Sequence, residues 1–225
     1  MDFTYYGQSC FAVSINGMQI LFDPFITPNG LAKDIRLEDV RADYILVSHG
    51  HADHLADCVA LAKQNNATVV GAFEVVTWLN SQGVEKFHPM NTGGQWNFDF
   101  GTVKCTNAVH SSAMPDGSYG ANPMGFLVKA QKNFWYSGDT ALTMDMQLVP
   151  RWAQLDFAVL PIGDNFTMGY EDAIIAAELI QCTNIVGVHY DTFDYIKIDH
   201  SIVKRAFADA GLNLYLPAIG ETIDL

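Results

Sequence analysis

Three histidines and one aspartate fall within six positions of this chain, in an H-x-H-x-D-H motif that begins at His49. The apolar run Tyr44–Val47 directly precedes the motif and predicts a strand that ends in a polar loop. Alternate side chains of an extended segment point the same way, so His49 and His51 can approach one cation. The loop that follows turns Asp53 and His54 toward a neighbouring position. The motif therefore predicts a metal centre with room for two adjacent cations.

Three further residues with metal-binding side chains also follow predicted strands. His110 closes one strand, Asp139 closes another, and His189 closes a third. A ring of strand-end loops on one rim of a rigid sheet is a common way to build a site. Taken alone, each residue has an ordinary structural explanation. His110 could cap a strand end, Asp139 could be a turn residue, and His189 could be a half-buried polar group. Beside the H-x-H-x-D-H motif, we expect all three to converge on the same site.

The order of the predicted elements favours a mixed fold. The first apolar segments alternate with short turns, and Asn16-Gly17 between two of them is typical of a tight hairpin. From Tyr44 onward, apolar runs lead into polar loops and then into segments with helical spacing. The predicted strands are residues 3–6, 10–15, 18–22, 44–47, 67–71, 157–160 and 185–188, with paired strands in 96–108 and 125–136. The predicted helices are residues 55–62, 73–79, 172–180 and 201–210.

Each predicted sheet has one face for a partner sheet and one face for helices. Two sheets packed face to face, with helices outside both, satisfy this requirement. We therefore predict an α/β (α+β) fold that forms a four-layer αββα sandwich. No Pro-, Gly- or Ser-rich linker divides the sequence, so we expect residues 1–225 to form a single domain.

Charge and composition exclude several classes of protein. Lys and Arg number 12 while Asp and Glu number 25, and the resulting net charge of −13 repels polyanions. No stretch approaches the ~20 apolar residues that span a bilayer, and the N-terminus lacks the basic start of a signal peptide. We therefore expect a cytoplasmic protein that acts on a small molecule and binds neither nucleic acid nor a membrane. A homo-oligomer is compatible with this surface.

The cysteines indicate a reducing compartment. They are far apart in the sequence and include no C-x-x-C pair. A chain of 225 residues does not need disulfides to fold, so we expect reduced and mostly buried thiols. The residues concerned are Cys10, Cys58, Cys105 and Cys182.

The order and spacing of the candidate ligands resemble the metallo-β-lactamase superfamily. Further segments are similar to the metal-dependent hydrolase family that is related to ascorbate-phosphate lactonases. These segments are Gly7–Phe11, Asp23–Phe25, His110–Ser112, Gly138–Leu142, Pro161–Gly169 and His189–Phe193. The resemblance covers essentially the whole chain, and Gln8 is a departure because many relatives carry a histidine there.

This resemblance implies an αββα fold that binds two divalent cations. The implied ligands are His49, His51 and His110 for the first cation and Asp53, His54 and His189 for the second. Asp139 would bridge both cations. Zinc is the cofactor we expect, with manganese or iron as alternatives, because His and Asp ligands accept several first-row ions.

The resemblance also implies hydrolysis of a small ester, lactone or phosphoester. Two cations ~3.5–4 Å apart would lower the pKa of a shared water toward ~7 and make a metal-bound hydroxide available as the nucleophile. Asp53 and Asp139 are the expected catalytic residues, because Asp53 could orient this hydroxide and Asp139 would fix the spacing of the cations. Asn165, Thr167 and Tyr190 are candidate substrate contacts, since they follow strands that end at the expected site.

Two other functions stay open on the sequence alone. An iron-dependent redox or thioester enzyme could use the same fold, although related redox enzymes carry a glutamate where this chain has His51. A non-catalytic metal-binding module could keep the ligands and hydrolyse nothing. Iron with oxygen uptake would identify the redox enzyme, and metal without turnover would identify the binding module. Because this chain has His51 in place of that glutamate, we favour the hydrolase.

Overall fold

The computed structural model describes residues 1–225 and contains two seven-stranded sheets. The first sheet, in spatial order, consists of β14 (Thr222–Asp224), β1 (Asp2–Gly7), β2 (Cys10–Ile15), β3 (Met18–Phe22), β4 (Tyr44–Leu46), β5 (Thr68–Ala72) and β6 (Phe87–Met90). The second, in spatial order, consists of β13 (Asn213–Tyr215), β12 (Asn184–Val188), β11 (Phe157–Pro161), β10 (Asn133–Tyr136), β9 (Met124–Lys129), β8 (Gly101–Asn107) and β7 (Gln95–Phe98). In the first sheet, the neighbouring strands β14, β1, β2 and β3 pair antiparallel, and β3, β4, β5 and β6 pair parallel. In the second sheet, β13, β12, β11 and β10 pair parallel, and β10, β9, β8 and β7 pair antiparallel.

Helices cover the outer faces of the two sheets. They are α1 (Ala52–Leu55), α2 (Cys58–Asn65), α3 (Phe73–Ser81), α4 (Val149–Trp152), α5 (Tyr170–Leu179) and α6 (His200–Asp209). The longer helices pack on the strands beside them, α3 on β5 and β6, α5 on β11, and α6 on β13. None of the helices combines the length and the apolar character that crossing a membrane requires. The predicted four-layer αββα sandwich is therefore confirmed.

Side-chain alternation along β11 explains how the second sheet buries both of its faces. Phe157 and Val159 point into the core between the two sheets, whereas Ala158 and Leu160 pack in the outer core with the helices. Successive side chains of a strand point to opposite faces, so a strand that is apolar at every position must be covered on both sides. An entirely apolar strand therefore requires a layer on each side.

Aromatic rings join the two sheets across the inner core. Phe11 on β2 meets Tyr136 on β10 edge to face, with ring centroids 5.1 Å apart. Phe22 on β3 meets Phe126 on β9 with ring centroids 6.2 Å apart. Burying one Phe side chain contributes roughly 1.5–3 kcal/mol, so this layer holds the two sheets in a defined relative position.

The structure differs from the predicted elements at a few places. Residues 55–62 do not form one helix, because Asp57 separates α1 from α2 and its carboxylate accepts N–H groups of Ile26 and Thr27. The strands β6, β13 and β14 were not predicted, because they have three or four residues and lack a clear alternation of buried and exposed positions. The hairpin at Asn16-Gly17 is confirmed, and both residues have positive φ.

The burial of the four cysteines predicts that the folded protein resists thiol reagents. Burial raises the pKa of Cys105 to about 12, and burial also raises the pKa of the other three thiols. DTNB should therefore label no thiol of the native protein and all four thiols in denaturant. The variant Lys204→Cys, which places a thiol at an exposed position of α6, should add one rapidly labelled equivalent. A native thiol that reacts as fast as this control would contradict the assigned burial.

Candidate metal centre

All seven candidate ligands lie on one rim of the sandwich, where strands of both sheets end. The loop after β4 carries His49 and His51, and the loops after β8, β10 and β12 carry His110, Asp139 and His189. The strands β8, β10 and β12 run in the same direction, so their carboxyl ends meet at the same edge of the sheet. The predicted convergence of these residues is therefore observed, whereas their role as ligands stays a prediction.

Unusual backbone conformations turn the chain at this rim. The φ angles of Gln8, Asp23 and His189 are 53°, 42° and 56°, in the left-handed region that non-glycine residues avoid. Gly138, directly before Asp139, has a φ of 65°, and a Cβ there would lie 2.7 Å from a backbone oxygen of β9. Only glycine fits that position. Strained residues of this kind cluster at functional sites, because the surrounding packing holds them in place.

Three histidines form one half of the site. The Nε2 atom of His49 lies 2.9 Å from Nδ1 of His51, and the ring of His110 lies 5.1 Å from both of their rings. Each of the three offers a nitrogen within 4.8 Å of the other two. Burial lowers the pKa of all three imidazoles. They are therefore neutral near pH 7, and the neutral imidazole is the form that binds metal ions.

The carboxylate of Asp139 lies at the middle of the other half. Its Oδ2 atom is 3.1 Å from Nε2 of His54, 3.0 Å from Nε2 of His189 and 3.7 Å from Nε2 of His110. The Oδ2 atom of Asp53 lies 3.6 Å from Nε2 of His54 and 3.7 Å from Nε2 of His189. The carboxylate of Asp139 thus borders both groups of histidines, since it is near His54 and His189 in this half and near His110 in the other half.

The charges of this half call for a cation. Burial by itself would raise the pKa of Asp139, but His189 and His54 outweigh it and hold that pKa well below its usual value. Burial would likewise lower the pKa of His189, yet the neighbouring carboxylate of Asp139 raises it to about 9. Two carboxylates beside buried imidazoles thus give this half of the site a negative local potential, which favours a cation.

Two buried atoms at the centre support the same conclusion. Nε2 of His54 and Oδ1 of Asp139 are buried and make no hydrogen bond, since the 3.1 Å contact between Nε2 and Oδ2 of Asp139 lacks hydrogen-bond geometry. Buried polar atoms without partners are rare in folded proteins because each one costs free energy. A cation held at this point would satisfy both atoms, so the residues present fit a metal ion.

The buried carboxylate of Asp23 orients two of the histidines from behind. It accepts the backbone N–H of Ser48 at 2.7 Å, the hydroxyls of Ser48 and Tyr136 at 2.6 and 2.5 Å, and Nδ1–H of His54 at 2.7 Å. Since the Ser48 hydroxyl donates to Asp23, it accepts from Nδ1 of His49, 2.9 Å away. Both imidazoles therefore present Nε2 to the site, as in metalloproteins whose ligands are held by a second layer of hydrogen bonds.

Gln8 connects the first sheet to Asp53 and to His189. Its side-chain amide donates to Oδ2 of Asp53 at 2.9 Å, and its backbone oxygen accepts the N–H of His189 at 2.9 Å. The Tyr5 hydroxyl donates to the same backbone oxygen at 3.1 Å. Gln8 therefore contacts one candidate ligand directly and positions the backbone of another.

A cavity of 890 Å³ opens onto the cluster. Its base is formed by His51, Asp53, His110, Asp139 and His189. The base of the cavity is therefore polar and consists of candidate ligands.

The residues predicted to contact substrate do not line this cavity. Asn165 is exposed beside it, the Thr167 hydroxyl donates to the backbone oxygen of Met168, and Tyr190 is buried with its ring stacked on Tyr5. Between Asn165 and Thr167, the residue that does line the cavity is Phe166. Substrate contact by Asn165, Thr167 or Tyr190 stays a prediction.

Sequence reasoning missed two sets of residues. Asp23 was noted only as part of a segment, although an aspartate directly after a buried strand could have been recognised as a member of the rim. The aromatic residues around the cavity, including Phe166 and Tyr195, carry no local signal, because an exposed aromatic in a loop has no periodicity.

Comparisons with known proteins agree with this fold. A β-lactamase superfamily domain matches residues 18–190. A UPF0173 metal-dependent hydrolase of Christiangramia forsetii is 52% identical over the whole of both chains, and one of Flavobacterium johnsoniae is 49% identical over the whole of both chains. A solved metallo hydrolase of the hyperthermophilic archaeon Ignicoccus hospitalis aligns with a TM-score of 0.89 and 30% identity, over 99% of this chain and 97% of that chain. The chain therefore belongs to the metallo-β-lactamase superfamily and, within it, to the UPF0173 metal-dependent hydrolase family.

The hydrogen bonds of Asp23 predict a large loss of stability when its carboxylate is removed. Asp23→Ala should lower the free energy of unfolding of the metal-free protein by about 3 kcal/mol, because it leaves buried donors of Ser48, His54 and Tyr136 without an acceptor. Tyr136→Phe removes one donor and should cost about 1 kcal/mol. The control Asp145→Ala, at an exposed aspartate, should change stability by less than about 0.5 kcal/mol. Urea unfolding measures all three, and equal effects of Asp23→Ala and the control would refute the role of this network.

Proposed function

We propose that this chain is a metal-dependent hydrolase that uses two divalent cations to cleave a small ester, lactone or phosphoester. We take zinc as the first choice of cation and manganese or iron as alternatives, and we take residues 1–225 as a single hydrolase domain. The observation that carries the proposal is the convergence of five histidines and two aspartates, of which His51, Asp53, His110, Asp139 and His189 line an open cavity. The names of the relatives, metal-dependent hydrolases and a metallo hydrolase, support the same class of reaction.

The proposed ligands fall into two groups that share one carboxylate. They are His49, His51 and His110 for one cation and Asp53, His54 and His189 for the other. The proposal is supported by the ligand atoms within each group, which lie within 4.8 Å of one another. Asp139 would bridge the two cations, because its Oδ2 atom is within 3.7 Å of His54, His110 and His189.

The reaction requires a water molecule, a means of orienting it and a proton acceptor. Bound divalent cations would supply a water of lowered pKa and would stabilise negative charge on the scissile group. Asp53, held by the Gln8 amide and partly exposed to the cavity, would orient the attacking water. For an ester, the water oxygen bonds to the carbonyl carbon, the bond from that carbon to the leaving oxygen breaks, and the leaving oxygen takes a proton. Asp139 would hold the site in a fixed geometry during this exchange.

Elemental mass spectrometry of freshly purified protein tests the proposal. Wild type should contain about two metal ions per chain, and His51→Ala and Asp139→Ala should contain fewer. His88→Ala, which removes a histidine of β6 outside the site, should keep the wild-type content. Wild-type protein that stays free of metal even after reconstitution would refute the metal centre.

Hydrolysis of esters, lactones and phosphoesters by the same proteins tests catalysis separately. Asp53→Ala should lower turnover by about a hundredfold or more while its circular dichroism spectrum stays native. Wild-type turnover in Asp53→Ala would refute the proposed role of this carboxylate. Iron together with oxygen uptake would instead favour the redox alternative, and bound metal without any turnover would favour the binding module.

Metal removal should lower the stability of the folded protein. A cation that binds the native state alone at about a hundred times its dissociation constant adds about 2.7 kcal/mol, which corresponds to a Tm shift of roughly 5–10 °C for a chain of this length. Dialysis against dipicolinate should therefore lower the Tm of wild type, and added zinc should restore it. Asp139→Ala should show a much smaller shift. An identical Tm for metal-free and metal-loaded wild type would argue against cations at the buried atoms of His54 and Asp139.

A further inference from the structure

We propose that the cavity takes a substrate whose portion outside the metal centre is uncharged, apolar and aromatic. Four aromatic side chains, which we call the aromatic wall, bind this portion: Phe25, Phe166, Phe193 and Tyr195. The inference rests on the proposed hydrolase function and names the substrate class of the same site. Among esters, lactones and phosphoesters, it selects uncharged esters and lactones that carry an aryl group.

The aromatic wall is assembled from separate loops at the rim. Phe25 follows β3, Phe166 lies between β11 and α5, and the other two residues lie between β12 and α6. The ring centroids of Phe25 and Phe193 are 6.4 Å apart, and those of Phe166 and Tyr195 are 6.1 Å apart. These separations lie within the range in which aromatic rings attract one another, so a further ring can be added to the same cluster.

Three of the four residues of the aromatic wall expose apolar surface, whereas Phe25, at 6%, is buried. Phe166 is 51% exposed, Phe193 is 39% exposed and Tyr195 is 75% exposed, although all three line the same cavity. Single exposed apolar residues are ordinary on protein surfaces, whereas a contiguous apolar cluster around a concave site is typical of ligand binding. The wall therefore has apolar surface available for a ligand.

The loop that carries Phe166 is held against the metal centre. Asp164 and Asn165 both adopt left-handed φ angles, 62° and 55°, and Asp164 accepts the N–H of Phe166. A Cβ at Gly163 would lie 2.1 Å from the backbone oxygen of His189, so the loop packs directly on the chain that carries this candidate ligand. Phe166 therefore lies on a loop that packs against the chain around His189, and both residues line the same cavity.

The charges around the cavity exclude an anionic substituent. No lysine or arginine lines it, while Asp194 does. Lys197 is engaged by Asp194 in an ion pair of 2.6 Å on the surface. Proteins that recognise carboxylate or phosphate groups generally use Arg or Lys for this purpose, and the net charge of −13 further disfavours anions. Beyond the metal centre, a phosphomonoester or a carboxylate substituent would therefore find no partner.

A matched pair of fluorescent probes tests the wall without requiring turnover. Anilinonaphthalene is uncharged, and its sulfonate has the same rings with one negative charge. Metal-loaded wild type should bind the uncharged probe at least about tenfold more tightly than the sulfonate. The double variant Phe166→Ala with Tyr195→Ala should weaken binding of the uncharged probe about fivefold, because it removes two stacking partners. Equal affinities for the two probes, or no effect of the double variant, would overturn the inference.

The variant Trp96→Ala serves as the matched control for these measurements. Trp96 is 54% exposed on β7 and does not line the cavity. Its removal should leave the affinity for both probes within about twofold of wild type, since a remote surface change rarely affects binding. A loss as large as that of the double variant would place the probe outside the cavity and would overturn the inference.

Three lactones that differ at one ring carbon test the same selectivity in catalysis. We choose γ-butyrolactone and its γ-phenyl and γ-carboxy derivatives; in each, water adds to the carbonyl carbon, the ring C–O bond breaks, and the product is a hydroxycarboxylate with one proton released to the buffer. Wild type should have its highest kcat/KM on the phenyl compound and its lowest on the carboxy compound. The double variant should raise KM for the phenyl compound more than for the unsubstituted lactone, whereas Trp96→Ala, outside the cavity, should leave kcat and KM on both compounds unchanged.

The two experiments separate the failure of this inference from the failure of the hydrolase proposal. If no lactone, ester or phosphoester is cleaved while probe binding follows the aromatic wall, the hydrolase proposal fails and the assigned ligand class stands. If lactones are cleaved with equal kcat/KM for the phenyl and carboxy compounds, the hydrolase stands and the inference on substrate class is overturned.

Discussion

The buried carboxylate of Asp23 is the interaction on which the rim depends. It accepts hydrogen bonds from Ser48, His54 and Tyr136, and these residues belong to the loop after β4, to α1 and to β10. The carboxylate of Asp23 thus connects both sheets and a helix through hydrogen bonds. Because its acceptor positions are occupied in this way, the imidazoles of His49 and His54 have one orientation, and the candidate metal centre is preorganised before any ligand binds.

The site divides into a polar base and an apolar wall, and the two have different physical origins. The base consists of candidate ligands at strand ends, whose positions follow from the sheets and the aromatic core that joins them. The wall consists of loop residues such as Phe166 and Tyr195, whose positions follow from turns and left-handed backbone angles. A scaffold of this kind can keep one chemistry while loops change the substrate. The base therefore accounts for the class of reaction and the wall for the proposed choice of substrate.

Much of the fold and of the polar base could be predicted, because both depend on short-range patterns. Alternation and apolar runs identified most strands, and strand-end positions identified His110, Asp139 and His189. Short strands at sheet edges, such as β6 and β14, escaped prediction because few of their side chains are buried and their pairing is decided by distant partners. The separation of α1 from α2 was missed because it depends on backbone groups of Ile26 and Thr27 that Asp57 contacts across the fold.

The sequence by itself determined the kinds of side chain in the site and the two-sheet architecture that presents them. Residue types and local periodicity contain that information, since ligand chemistry and side-chain alternation do not depend on distant contacts. Only the tertiary structure decided that Asp23 meets Tyr136, 113 positions away, and that Phe25 meets Phe193 at the mouth of the cavity. Such meetings follow from how two sheets pack across an aromatic core, and no local pattern in the chain encodes that packing.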